Sequence, residues 1–106
     1  ASTDLTHYGP NYGFEPQGRG GEALRWVREV NDPAFIAAVE SGQGAAVLDS
    51  CRKHHNACSG GSVAALCEVA RASGGLKFKS LGYATSAEFG ARDTDNFVGY
   101  LGGIFR

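Results

Sequence analysis

The densest group of reactive side chains lies in one stretch, Cys51-Arg52-Lys53-His54-His55-Asn56-Ala57-Cys58. On a helix, Cys51, His54, His55 and Cys58 would share a face, because residues three and four apart are surface neighbours. Two thiols and two imidazoles are a common zinc ligand set. One helix cannot wrap four ligands tetrahedrally around an ion, however. It offers two, such as Cys51 with His55, and the others would come from Cys67, His7 or a second chain. Haem ligation by His54 or His55 lacks an attachment motif in the sequence. A blander reading needs no function: His54 lies on the surface and His55 at a boundary, where a His near a helix C-terminus gains from the helix dipole.

Catalytic signatures are sparse. Cys51 and His55 stand one turn apart, within reach of an activating hydrogen bond. A catalytic thiol needs an exposed, electropositive setting, whereas Cys51 falls on an apolar stripe. Asp93 and Asp95 read as helix-start chemistry rather than an acid–base pair. No G-x-S-x-G elbow occurs, and no phosphate-binding Gly loop follows a strand. No catalytic residue and no cofactor are assigned.

The elements that must position these groups fall into two parts. Residues 1–21 form a Gly/Pro/aromatic arm carrying Tyr8, Tyr12 and Phe14. Pro and Gly stop regular structure there, so an extended arm across the domain or a neighbour is expected. Residues 22–106 read as a single helical domain. Ala23, Leu24, Val27 and Val30 recur at helical spacing. Asp32 suits an N-cap, with Pro33 at the first helical position, and Phe35, Ile36 and Val39 come next as a buried stripe. A third helix is expected from Ala45 to Ala57. After the Ser59-Gly60-Gly61 turn, Ser62 caps a fourth with Val63, Leu66, Cys67 and Ala70 inward. Together they predict a helical hairpin over about residues 45–73. Leu76 to Ser80 alternates apolar and polar, the period of a short strand. Thr85 or Ser86 caps a single turn. Asp93 to Phe105 places Phe97, Val98, Leu101, Ile104 and Phe105 on one helical face, although Gly99, Gly102 and Gly103 each weaken that helix by about 1 kcal/mol. The fold class expected is therefore mostly α, with an extended N-terminal arm and a Gly-rich apolar C-terminal segment.

The hairpin predicts a disulfide. Cys51 and Cys58 on one helix would be ~10 Å apart along the axis, too far for the ~7 Å Cα limit. With the turn centred on Gly60, Cys51 and Cys67 would differ in height by only ~3 Å. A Cys51–Cys67 bond is expected, with Cys58 left over.

Charge narrows the partners. A net charge of −1 over 106 residues supplies no field to attract nucleic acid. Arg52, Lys53, Arg71, Lys77 and Lys79 face a single acid, Glu68, across their stretch, and read as a solvated surface. No apolar run reaches the roughly 20 residues of a membrane span, which leaves only peripheral membrane association open. The chain starts at Ala1-Ser2 without Met, which with the expected disulfide suggests a removed leader and export to the cell exterior, a periplasm or an organelle lumen. The reading is a non-catalytic exported binding protein: an accessory or extrinsic subunit of a larger assembly, or a secreted effector-like domain with a protein partner. Tyr8, Tyr12, Phe14, Phe97, Val98, Leu101, Ile104 and Phe105 would be its anchors. The alternative is a metal- or haem-binding carrier using the Cys51/His54/His55/Cys58 helix face.

Overall fold

A computed structural model describes residues 1–89 and 92–106. Its helices are α1 (Gly21–Trp26), α2 (Asp32–Glu40), α3 (Gly44–His54) and α4 (Gly60–Ala72). The strands are β1 (His7–Tyr8), β2 (Phe78–Thr85) and β3 (Phe97–Phe105). They form one antiparallel sheet in the order β1-β3-β2. The helices pack on one face of it. The expectation of a mostly helical fold is therefore corrected to an α/β one.

The correction rests on residues 93–105, read as a helix, of which Phe97–Phe105 is β3. The apolar spacing of Phe97, Val98, Leu101, Ile104 and Phe105 is helical, and the strand divides these residues between its two faces, Leu101 and Phe105 toward the core and Ile104 away from it. Their partners decide. Gly99 lies against the Asp32 carboxylate and Gly103 under the Phe78 ring, where a Cβ would collide with either. A helix would lose both approaches and bear three glycines, whereas the strand uses two of them for close packing. Phe78, Tyr83, Leu101 and Phe105 then close over a core of Leu5, Phe35, Val39, Val47, Ala64 and Cys67.

The first two helices are one rod, joined by a π segment from Val27 to Asn31. Its wider turn rotates α2 away from the phase a plain α-helix would give it. Val30, expected inside, is 53% exposed, and Asn31 is buried instead. Asp32 is no N-cap, since Asn31 before it already has helical dihedrals. Its carboxylate is buried and accepts from the Thr6 amide (3.0 Å), the Thr6 hydroxyl (2.5 Å) and the Tyr83 hydroxyl (2.7 Å).

The arm is not merely extended. Its β1 pairs with β3, His7 opposite Val98 and Tyr8 opposite Phe97. A 3-10 turn comes next, at Pro10–Tyr12. Tyr8 is fully buried and stacks on Phe97 at 5.1 Å. Its hydroxyl donates to the Gly18 carbonyl and accepts from the Gln17 amide.

No disulfide forms; Cys51, Cys58 and Cys67 are all free thiols. The hairpin itself is present, but its register differs from the one expected. Helix α3 stops at His54, because His55 turns left-handed (φ 49°), and α4 already begins at Gly60. Cys51 is therefore level with Gly60, where an added Cβ would strike its Sγ. At the other end the Gly44 amide donates to Glu68 Oε1 (3.0 Å). Cys67 lies seven residues beyond Gly60, ~10 Å further along α4.

Candidate functional site

Three segments meet around the α3–α4 connection. The left-handed turn at His55 would leave the last carbonyls of α3 unpaired. The His54 carbonyl instead accepts from Asn31 Nδ2 (3.0 Å), and that amide also donates to Thr6 Oγ1 (2.9 Å). Asn56, fully buried, donates to the Asn31 carbonyl (2.9 Å) and to Ser50 Oγ (3.0 Å). Buried amides stay where they are because unmaking such bonds is costly. The connection is thus fastened to the first rod and to the arm at once.

The arm also grips the connection from outside. The Cys58 amide donates to the Asp4 carbonyl (3.2 Å), the Ser59 amide to Thr3 Oγ1 (2.9 Å), and the Ser62 hydroxyl to the Ser2 carbonyl (3.2 Å). Between arm and connection lies a cleft of about 410 Å³, lined among others by His7, Tyr12, Phe14, Cys51, His55 and Cys58. Cys58 is exposed, with Sγ 3.7 Å from Thr3 Oγ1. His7 is held edge-on to Tyr12 (5.0 Å), and His55 packs against Phe14 (5.5 Å). His7 Nδ1 is 3.2 Å from the Leu5 carbonyl, which can only accept. In neutral His7 the proton is then on Nδ1, and Nε2 is the free lone pair. Asp4 Oδ2 lies 3.9 Å from that Nε2.

The two other thiols are poor nucleophiles. Burial pushes both the Cys51 and Cys67 thiols up, and Glu68 adds to the effect at Cys67. Cys58 is the exposed member of the three.

The helix-face grouping read from the sequence does not survive. Cys51 and His54 are on α3, His55 is past its end, and Cys58 is in the connection, so the four donors share no helical face. His54 is exposed and outside the cleft lining. Among the described residues, no three His, Cys, Asp or Glu side chains converge to hold a metal ion. The structure instead brings Cys51, His55 and Cys58 to one cleft with His7. Sequence spacing had no means of pairing His7 with Cys58, or of finding Asp4 beside His7. The available signal was that His7 and the three cysteines are the reactive groups outside His54 and His55.

The aromatic and C-terminal anchors separate by burial. Tyr8, Phe97 and Val98 are buried. Phe14, Leu101 and Phe105 are half-buried. Tyr12 and Ile104 are exposed. No helix among the described residues is long and apolar enough to cross a membrane.

Residues 1–104 match the family described as "Memo-like protein". A MEMO1 family protein of Thermococcus onnurineus is 36% identical over 108 residues, covering the whole chain and 36% of that protein. MEMO1 family proteins of Thermococcus kodakarensis and Pyrococcus abyssi are 32% and 33% identical over the same extent, again 36% of their lengths. The chain therefore spans about a third of the curated relatives it matches. These matches, with the absent disulfide, overturn the readings of an exported accessory binding protein and of a helix-face metal or haem carrier. The match along nearly the whole sequence carries one conclusion: the chain belongs to the Memo-like protein family.

Proposed function

We propose that this chain supplies a Memo-family protein with one wall of a small-ligand site, the cleft between the N-terminal arm and the α3–α4 connection. In it Cys58 is the reacting thiol and His7 the imidazole that hydrogen-bonds to ligand or thiol. The observation that carries this is the fastening of Cys58. An exposed thiol on a loop is ordinarily mobile, yet this one is pinned through its own amide to Asp4 and through its neighbour's amide to Thr3. Those bonds hold it in the cleft that His7 also lines. Preorganised groups of this kind avoid the ordering cost of binding. His7 comes from β1, so its position depends on the β1–β3 pairing rather than on any local sequence. His55 and Tyr12 shape the remaining wall.

Alkylation with iodoacetamide, followed by peptide mass spectrometry, tests the reading. Cys58 should react well ahead of the less exposed Cys51 and Cys67. His7→Ala should change the Cys58 rate at fixed pH without unfolding the chain. A Cys58 rate no faster than those of Cys51 and Cys67, or one that ignores His7→Ala, would refute the reading.

A further inference from the structure

Two consecutive polar residues, Asn31 and Asp32, are buried in the middle of the first helical rod. A plain α-helix sets neighbours about 100° apart and would turn one of them outward. The π turn removes that conflict. The Asp32 amide donates to the Val27 carbonyl, five residues back. The buried stripe of the rod accordingly runs Ala23, Val27, Asp32, Phe35 and Val39. Its other steps are of three or four residues, so the step from Val27 to Asp32 contains one residue too many. Insertions of this kind recur at functional sites.

Both polar residues face the supports of the Cys58 cleft. Thr6 Oγ1 donates to Asp32 Oδ1 (2.5 Å) and accepts from Asn31 Nδ2 (2.9 Å), and the Thr6 amide donates to Asp32 Oδ1 (3.0 Å). Thr6 directly precedes His7. Asn31 Nδ2 also donates to the His54 carbonyl (3.0 Å), and the Asn31 carbonyl accepts from Asn56 Nδ2 (2.9 Å). His54 and Asn56 flank His55. The two imidazoles on opposite walls are therefore each held through an adjacent residue, by the same pair. An apolar side chain in place of Asn31 would fill the rod equally well, whereas a fully satisfied buried network specifies one arrangement.

We propose that the π turn is a positioning device for the cleft. Its extra residue lets Asn31 face inward beside Asp32, and this pair, through Thr6, fixes His7 relative to the His55–Cys58 connection. Asn31, Asp32 and Thr6 are positioning residues, since none of them lines the cleft. What the positioning serves rests on the cleft reading given above; the positioning itself can be measured without Cys58.

The test uses the full chain. Deleting Val30 removes the extra residue: Val27 and Asp32 then stand one α-helical turn apart, the apolar stripe keeps its phase, and Asn31 takes the outward place that Val30 holds. Thr6→Val removes only the hydroxyl that both side chains use, and Thr6→Ser restores it. Histidine ring proton–carbon spectra read position, because Tyr12 lies 5.0 Å from the His7 ring and Phe14 5.5 Å from that of His55. The Val30 deletion and Thr6→Val should both shift the His7 and His55 ring signals. The Ile104 methyls, at the far end of β3, should stay in place, and Thr6→Ser should return the ring signals to their wild-type positions. Thr6→Val should also change the Cys58 alkylation rate in the same direction as His7→Ala, and have no further effect in a chain that already carries His7→Ala. Ring signals unmoved by Thr6→Val, signals that Thr6→Ser does not restore, or additive effects of Thr6→Val and His7→Ala on the Cys58 rate would each overturn the proposal. If the Val30 deletion unfolds the chain, the two Thr6 variants decide. A Cys58 rate that ignores His7→Ala would instead overturn the cleft reading, and the ring signals would still decide the positioning.

Discussion

Replacing Asp32 separates what its hydrogen bonds contribute from what its burial costs. Its carboxylate collects the Thr6 amide, the Thr6 hydroxyl and the Tyr83 hydroxyl, and so ties the arm and β2 to the first helical rod. Asp32→Ala strands the Thr6 amide and the Tyr83 hydroxyl at about 1–3 kcal/mol each. Tyr83 is half-buried and can recover some hydration, so a total loss of about 3 kcal/mol is expected. Asp32→Asn keeps an acceptor for Thr6, and the Tyr83 hydroxyl can rotate to accept from the new amide, so its loss should be near 1 kcal/mol. The pH dependence is more telling. Burial pushes the Asp32 carboxyl above the usual carboxylate range, outweighing the opposing bonds from Thr6 and Tyr83. Burial, then the Asp32 charge, pushes the Tyr83 hydroxyl up as well. A carboxyl with a raised folded pKa binds its proton more tightly folded than unfolded. Its stabilisation is then present at low pH and lost as pH rises through the folded value. Urea unfolding of wild type and Asp32→Asn, at steps from about pH 4 to pH 8, should therefore show the wild-type advantage shrinking as pH rises, then levelling. An advantage that grows with pH would mean the three donors outweigh burial and would refute the reasoning.

Single contacts give further expected outcomes. Gly99→Ala places a Cβ on the Asp32 carboxylate and 3.3 Å from Leu5 Cβ; thermal unfolding should show a loss of about 3 kcal/mol, the upper range for overpacking. Gly60→Ala drives a Cβ into Cys51 Sγ; Cys51→Ala should relieve it, and a double-mutant cycle by urea unfolding should give a coupling of about 1–2 kcal/mol. Native thiol titration should consume Cys58 first and Cys67 only on unfolding, since Cys67 is 1% exposed, and non-reducing peptide mapping should find no Cys51–Cys67 link. Replacing His55 by Gly should stabilise by about 0.5–1 kcal/mol, because the left-handed C′ position favours glycine.

The helical body was legible because its code is local. Phe35 and Val39, and Cys67 and Ala70, recur at helical spacing and are buried, while Ile36, Val63 and Leu66 of the same stripes are half-buried. The alternation from Leu76 to Ser80 likewise announced β2, and Thr85 does cap a single turn with Glu88 completing the box. The errors came where local patterns misled. The apolar spacing of residues 97–105 follows a 3.6-residue period, yet the segment is a strand that divides those residues between its two faces. What selects the strand is Gly99 against Asp32 and Gly103 against Phe78, contacts across 67 and 25 residues of chain. The disulfide failed on one turn: where α3 ends depends on His55 adopting a left-handed conformation, with Asn31 capping the carbonyl before it. That shifted the hairpin register by enough to part Cys51 from Cys67. The cleft shows the same division. The residue types of Cys58, His7 and His55 were plain in the sequence, but their meeting requires β1 to pair with the strand at the other end of the chain. Short-range periodicity determines which segments can be helices. Which distant side chains share a surface is decided only when strand pairing and buried hydrogen bonds fix the chain's path, because those energies belong to pairs of residues far apart in sequence.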